Sequence, residues 1–185
     1  MMIPVYFYRR DCMTISREKG IKYKVGCLIE AAQKGEVYHI AHQCNCFNTM
    51  GAGIASLIAK AFPAAKAVDD ATVKGDIRKL GHFTHDLTCD EENEDTEGFA
   101  PEVYNLYGQY APSSTGVATD YSHLRQALRG MAFSISGYTM KVGLPKIGAG
   151  LGGGDWSIIS KIIEEELGEF DVTIYVLDEK EIPSA

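Results

Sequence analysis

The sequence predicts an α/β domain in which helices cover both faces of a mostly parallel sheet. Short runs rich in β-branched and aromatic residues alternate with helical patterns along the 185 residues of the chain. Twice, a strand leads through a glycine-bearing loop into a helix. The last strand candidate, 171–177 (DVTIYVL), is almost continuously apolar, as strands buried on both faces of a sheet are. Ligands of such sheets bind beyond the carboxyl ends of the strands.

The composition is that of one globular domain spanning 1–185, with its core at about 21–177. Hydrophobic residues make up 45% of the chain and charged residues 23%, and no apolar run is long enough to span a membrane. We therefore expect no membrane partner and a cytoplasmic location. Five cysteines without CxxC spacing indicate free thiols, and we predict no metal and no cofactor. The formal net charge of −7 argues against general nucleic-acid binding.

The first half of the chain predicts three strands and two helices. Runs of β-branched and aromatic residues mark the strands at 3–9 (IPVYFYR), 21–26 (IKYKVG) and 37–42 (VYHIAH). The first of these strands belongs to an N-terminal extension, 1–20. The glycine-bearing loop 43–53 leads into a helix at 54–62, whose apolar residues recur at helical spacing until Pro63 ends it. A further short helix is predicted at 64–72.

The second half continues the alternation. Strands are predicted at 80–87 (LGHFTHDL), 103–107 (VYNLY), 138–147 and 171–177. Acidic residues crowd the segment 88–102, which predicts a surface loop without chemistry. Asp120 is expected to cap a helix with a buried stripe formed by Tyr121, Leu124, Leu128, Met131 and Ala132.

The central stretch, 144–156 (LPKIGAGLGGGDW), runs from a strand through a glycine-rich loop into a helix at 155–167. Its glycines allow several peptide N–H groups to converge on one point, and the helix N-terminus adds unpaired N–H groups and the positive end of its dipole. This pattern predicts an anion site, usually for phosphate. No Lys-Ser/Thr pair follows the glycines, which argues against a P-loop, and too few residues remain for a Rossmann unit. The alternative is a flexible turn.

Four segments of the chain resemble the macrodomain family. They are 40–63 (IAHQCNCFNTMGAGIASLIAKAFP), 103–109 (VYNLYGQ), 144–165 (LPKIGAGLGGGDWSIISKIIEE) and 172–177 (VTIYVL). The nearest branch is that of the small ADP-ribose 1″-phosphate phosphatases and related ADP-ribosyl-hydrolysing macrodomains. The resemblance implies a three-layer α/β/α fold with a mixed, mostly parallel central sheet.

The resemblance also implies where a ligand would lie. In macrodomains the loop after the third strand wraps the distal ribose of ADP-ribose, so Asn45 would contact the ribose hydroxyls. The residues of that loop expected to approach the ribose closely are Gly51, Ala52, Gly53 and Ile54. The glycine-rich loop would cradle the diphosphate through the backbone of Gly148, Ala149, Gly150, Leu151, Gly152 and Gly153. Tyr175 resembles an aromatic residue that lies beside the adenine, with an ordinary core tyrosine as the alternative.

Three positions depart from the family pattern. Cys27 stands where many macrodomains have an aspartate that accepts the adenine amino group, and a thiol accepts hydrogen bonds weakly. Members that reverse glutamate ADP-ribosylation use a lysine near the position of Gln109 and an aspartate at the position of Gly152. The lysine-dependent mechanism is therefore expected to be absent.

The resemblance implies binding of ADP-ribose and hydrolysis of ADP-ribose 1″-phosphate to ADP-ribose and phosphate. His42 matches a histidine of the yeast-type phosphatase and could exchange a proton during the reaction, with a packed structural histidine as the alternative. Asp155 could orient water, or simply cap the following helix. Two other functions stay open: a non-catalytic reader of ADP-ribose, and a hydrolase that removes ADP-ribose from protein or nucleic acid.

Overall fold

The computed structural model of the chain describes residues 20–86, 101–113, 115–135 and 141–183. Within these ranges the strands are β1 (Ile21–Val25), β2 (His39–Asn45), β3 (Phe83–Asp86), β4 (Glu102–Gln109), β5 (Lys141–Leu144) and β6 (Asp171–Val176). The helices are α1 (Leu28–Gln33), α2 (Gly53–Ala61), α3 (Pro63–Asp70), α4 (Tyr121–Ile135) and α5 (Trp156–Leu167). Short 3-10 helices lie at Ile77–Lys79 and Glu179–Glu181.

The strands form one sheet in the order β1-β6-β5-β2-β4-β3. Every neighbouring pair is parallel except β3 with β4, so the predicted mixed, mostly parallel sheet is confirmed. In a parallel arrangement the carboxyl ends of neighbouring strands meet at one edge of the sheet. Strands β2 and β5, which lead into the two glycine-bearing loops, are direct neighbours. The loops therefore leave the sheet side by side.

Helices pack on both faces of the sheet, as predicted. One core cluster joins α4 and α5 to the sheet, and a second joins α1, α2 and α3 to the opposite face. Consecutive residues of β2 illustrate the alternation, because Ile40 belongs to the second cluster and Ala41 to the first. Burial of both faces explains why every residue of β2 except Gln43 is buried.

Several element boundaries differ from the predicted ones. Strand β2 begins and ends later than predicted, at His39 and Asn45, and β5 ends at Leu144 because the following Pro145 has no N–H to continue the ladder. Helix α1 was not predicted, because its six residues are too few to show a helical period. Asp120 caps α4 as expected, since its Oδ1 accepts hydrogen bonds from the backbone N–H groups of Ser122 and His123.

Some predictions fall on residues outside the described ranges. They are the strand at 3–9, the first residues of the strand at 138–147 and most of the acidic segment 88–102. In the part of the chain that the structure describes, no helix has the length and apolar character needed to cross a membrane.

Candidate functional site

Two loops form the candidate site at the carboxyl edge of the sheet. We call residues 46–52, between β2 and α2, loop A, and residues 145–155, between β5 and α5, loop B. A Cβ atom on Gly53, the first residue of α2, would lie 3.4 Å from Cδ1 of Leu151 in loop B. The fold therefore brings the two predicted ligand loops into contact.

Loop A is organised by the side chain of Asn45 at the end of β2. The Asn45 Nδ2 donates hydrogen bonds to the Thr49 Oγ1 at 2.7 Å and to the Thr49 carbonyl oxygen at 3.0 Å. Its Oδ1 accepts a hydrogen bond from the backbone N–H of Phe47 at 2.9 Å. An amide oxygen has two lone pairs, so Oδ1 retains one acceptor position. The predicted contact between Asn45 and a ribose stays a prediction, and the structure adds a second role in shaping the loop.

Helix α2 begins at loop A without a side-chain cap. Its N-cap residue is Ala52, which cannot accept a hydrogen bond from the first turn. The N–H groups of Gly53, Ile54 and Ala55 therefore point out of the helix without an intrahelical acceptor, and the positive end of the dipole lies with them. Gly51, Ala52 and Gly53 are all exposed. This end of α2 is suited to a negatively charged ligand.

Loop B folds back on itself through its own backbone. The N–H of Gly154 donates to the carbonyl oxygen of Gly148 at 2.8 Å, and the N–H of Gly153 donates to that of Gly150 at 3.0 Å. Within the described residues, the N–H groups of Gly150, Leu151 and Gly152 have no acceptor. Loop B thus has three consecutive unpaired backbone donors, of which those of Gly150 and Leu151 belong to exposed residues and that of Gly152 to a buried one.

A polar support beneath loop B was not predicted. The hydroxyl of Thr119 donates to the carbonyl oxygen of Gly148 at 2.8 Å and accepts a hydrogen bond from the Gln43 Nε2 at 2.9 Å. The same Nε2 donates to the Gln109 Oε1 at 2.7 Å. A Cβ on Gly152 would lie 2.4 Å from the Thr119 Oγ1, so only glycine fits there. The polar Gln43, directly after the predicted strand 37–42, was the available sequence signal for this support.

The N-terminus of α5 carries a side-chain cap, and its predicted contribution to the anion site stays a prediction. The Asp155 side chain caps it, accepting a hydrogen bond from the Ser157 N–H at 2.8 Å, and this bond holds the pKa of Asp155 below its ordinary value. The backbone N–H of Asp155 donates to the Tyr121 hydroxyl. This contact fits the capping interpretation of Asp155, and the water-orienting role stays a prediction.

His42, the predicted catalytic residue, lies inside the sheet. Its ring is 0% exposed in the middle of the sheet, and its Nε2 lies 2.7 Å from the Asn105 Oδ1. Burial lowers the pKa of His42 from 6.5 to about 4, so the ring is neutral near pH 7. A ring enclosed by protein on all sides cannot contact a ligand, and the structural interpretation of this histidine fits the geometry.

Two aromatic residues near the site pack into the core. Tyr175, at the end of β6, is buried in the cluster on the α1 side, and burial raises the pKa of its hydroxyl. The Nε1 of Trp156 donates to the Tyr23 hydroxyl at 3.0 Å beneath α5. Both positions fit core residues, and contact between Tyr175 and an adenine stays a prediction.

The cleft between the loops is poor in charged side chains. Loop A has none, and loop B has only Lys146 and Asp155. The Lys146 Nζ lies over the Trp156 ring, 5.6 Å from its centroid, and Asp155 caps α5. Among the described residues, no cluster of three or more His, Cys, Asp or Glu side chains could hold a metal ion. Backbone N–H groups are therefore the main electrostatic feature of the cleft.

The fold matches those of solved macrodomains. The macrodomain of Mycobacterium tuberculosis DarG superposes with a TM-score of 0.64 at 18% identity, over 85% of this chain and 97% of that one. Thermosipho africanus DarTG in complex with ADP-ribose superposes with a TM-score of 0.66 at 18% identity, over 89% of this chain and 43% of that one. The chain therefore has the macrodomain fold.

Sequence comparison finds two curated relatives of nearly full length. The chain is 31% identical over 165 residues to an uncharacterized 17.5 kDa protein of Enterobacteria phage T4, covering 83% of this chain and 94% of the phage protein. It is 24% identical over 161 residues to the ADP-ribose 1″-phosphate phosphatase of Lodderomyces elongisporus, covering 85% and 99% of the two chains. No protein-family model matches the chain.

Proposed function

We propose that this protein binds ADP-ribose in the cleft between loops A and B. The observation that carries the proposal is the closeness of Gly53 to Leu151, because unpaired N–H groups lie on both sides of it, in the first turn of α2 and in loop B. A diphosphate needs several converging donors, and here neutral backbone supplies them. The shared fold of Thermosipho africanus DarTG, solved in complex with ADP-ribose, supports the same ligand.

In this proposal each loop binds a different part of the ligand. The N–H groups of Gly150, Leu151 and Gly152 would bind the diphosphate, and the distal ribose would lie against loop A. The uncapped N-terminus of α2 would then face the negative charge. Hydrogen bonds to charged groups contribute about 1.5–3 kcal/mol each, and a helix N-terminus adds roughly 0.3–1 kcal/mol. Both terms favour a bound diphosphate.

Amide NMR tests this arrangement residue by residue. On titration with ADP-ribose, the amide resonances of Gly150–Gly152 and of Gly53–Ala55 should shift together with one binding curve. The amides in the last turn of α5, far from the cleft, provide the internal control. Saturable binding that leaves the amides of both loops unshifted would place the ligand elsewhere.

A second candidate function is hydrolysis of ADP-ribose 1″-phosphate. It is favoured by the similarity to the Lodderomyces elongisporus phosphatase, which extends over 99% of that protein. The 1″-phosphate would lie beside the distal ribose, near the uncapped end of α2. In this proposal the protein acts mainly by positioning the phosphate and a water with backbone donors, because His42 is buried and Asp155 caps a helix.

One incubation separates this candidate from the two others. ADP-ribose 1″-phosphate and ADP-ribosylated protein are incubated with the chain in parallel, and inorganic phosphate and free ADP-ribose are measured. Phosphate released only from the first substrate supports the phosphatase. ADP-ribose released from the modified protein indicates an ADP-ribosyl hydrolase. Absence of both products, with binding retained, identifies a reader of ADP-ribose.

A further inference from the structure

A chain of buried polar side chains begins at His42 in the middle of the sheet. The Asn105 Nδ2 donates to the carbonyl oxygen of Ala65, which fixes the Asn105 Oδ1 as the partner of the His42 Nε2. An amide oxygen can only accept, so Nε2 must carry the ring hydrogen. The same Asn105 Nδ2 lies 3.1 Å from the Thr84 Oγ1, which continues the chain into β3.

This network of hydrogen-bonded side chains then reaches a buried ion pair between Asp69 and Lys79. The Thr84 hydroxyl lies 3.3 Å from the Tyr107 hydroxyl, which donates to the Asp69 Oδ1 at 2.8 Å. The Lys79 Nζ lies 3.8 Å from the same carboxylate oxygen and 4.6 Å from the centroid of the Tyr107 ring. Asp69 is 1% exposed and Lys79 is 8% exposed. Lysine and aspartate are rarely so buried unless they are paired, and removing either partner is strongly unfavourable.

Asn48 of loop A is hydrogen-bonded to the lysine of this ion pair. The Lys79 Nζ donates to the Asn48 Oδ1 at 2.9 Å and to the Thr72 Oγ1 at 2.6 Å. The Asn48 Nδ2 donates to the same Thr72 Oγ1 and to the backbone carbonyl oxygen of Asp69. Asn48 has φ of +58° and is the only residue other than glycine with positive φ among those described. That conformation is uncommon for a residue with a Cβ, so it needs such contacts to persist.

We propose that Lys79 and Asp69 are positioning residues that hold Asn48, and through it loop A, in the conformation that receives the distal ribose. This inference rests on the proposed function of the cleft. A backbone hydrogen bond also joins loop A to the segment before Lys79, because the Gly75 N–H donates to the Cys46 carbonyl oxygen at 2.7 Å. Lys79 itself lies beneath loop A and does not face the cleft. Its charge acts on the ligand only through the shape of the loop.

The test compares two variants with a matched control. Lys79→Met removes the amine and keeps the length of the side chain. Asn48→Gly removes the side-chain contacts but allows the left-handed backbone without strain. Lys74→Met is the control, since Lys74 is an exposed lysine on the same segment. Amide hydrogen exchange at Cys46 and Gly75 and the affinities for ADP-ribose and AMP are measured for each protein.

Lys79→Met and Asn48→Gly should speed amide exchange at Cys46 and Gly75 and weaken ADP-ribose binding about tenfold or more. AMP has no distal ribose, so its affinity should not change, whereas general loss of structure would weaken both ligands. Lys74→Met should match the parent in every measurement. If Lys79→Met does not fold, Asn48→Gly decides alone.

Parent-like exchange and parent-like ADP-ribose affinity in a folded Asn48→Gly variant would overturn the inference. If the parent itself binds no ADP-ribose, the proposed function fails separately. The exchange rates at Cys46 and Gly75 still decide whether Lys79 and Asn48 order loop A.

Discussion

Gly53 lies next to Leu151: a Cβ built on the glycine would lie 3.4 Å from the leucine Cδ1. Gly53 also has φ of +57°, which favours glycine at the point where loop A turns into α2. Leu151 is 65% exposed at the tip of loop B. The end of loop A and the tip of loop B therefore lie together and leave an apolar side chain that a ligand can cover.

Replacing Gly150 by valine should abolish most ADP-ribose binding without unfolding the protein. No atom lies within 4 Å of a Cβ built on Gly150, so the new side chain meets only the space assigned to the diphosphate. Loss of one or two charge-assisted hydrogen bonds predicts an affinity about 10- to 100-fold weaker, measured by calorimetry. The free energy of unfolding should change by less than about 0.5 kcal/mol.

Gly152→Ala is the matched contrast to Gly150→Val. Its Cβ would lie 2.4 Å from the Thr119 Oγ1, so this smaller substitution should destabilise the fold by roughly 1–3 kcal/mol in urea denaturation. Equal effects of the two substitutions on stability would contradict the geometry of loop B. An unchanged affinity for Gly150→Val would remove loop B from the site.

Capping α2 should stabilise the protein and weaken ligand binding. Ala52→Asp supplies the missing acceptor for the first turn and should raise the free energy of unfolding by about 0.5–2 kcal/mol. The same carboxylate would repel the phosphates, so affinity for ADP-ribose should fall roughly tenfold. Ala52→Ser adds a neutral cap and serves as the control, with a similar gain in stability and a smaller loss of affinity. A tighter ADP-ribose complex in Ala52→Asp would show that the helix end does not face the ligand.

The burial of His42 predicts a pH-dependent stability. Its pKa is lowered from 6.5 to about 4 in the folded protein, so between these values the unfolded chain binds more protons. The contribution of neutral His42 to the free energy of unfolding is therefore fully present above about pH 6.5 and is lost as the pH falls toward about 4. Through this histidine, lowering the pH from 7 to 5 should reduce the free energy of unfolding by about 2 kcal/mol.

His42→Gln isolates this effect, because its Nε2 can still donate to the Asn105 Oδ1 but does not titrate. The variant should lose about 2 kcal/mol less than the parent over the same pH interval, as measured by urea denaturation. Identical pH profiles for the two proteins would mean that His42 is not buried as described.

The arrangement of the sheet and both ligand loops could be predicted from the sequence because each depends on local patterns. Strand composition, helical spacing and the glycines of loop B, such as Gly150, are all visible along the chain. The sequence could not decide between the two roles of Asp155, because an aspartate before a helix fits a cap or a free acid equally well until its partner, the Ser157 N–H, is located.

The buried polar contacts could not be predicted because they join residues far apart in the sequence. His42 and Asn105 lie 63 positions apart, and Lys79 reaches Asn48 over 31 positions. Thr119 supports loop B from a segment without periodicity. Composition gives no sign that a lysine or a histidine will be buried, since both are usually exposed or partly exposed.

Calorimetry with ADP-ribose and AMP tests the central claim, that loops A and B form one site, most directly. ADP-ribose should bind at about one per chain with affinity around micromolar, roughly −8 kcal/mol. AMP should bind more weakly, because it leaves loop A and part of the donors at Gly150–Gly152 without a partner. Equal affinities for AMP and ADP-ribose would contradict the account, since the distal ribose and second phosphate would then contribute nothing.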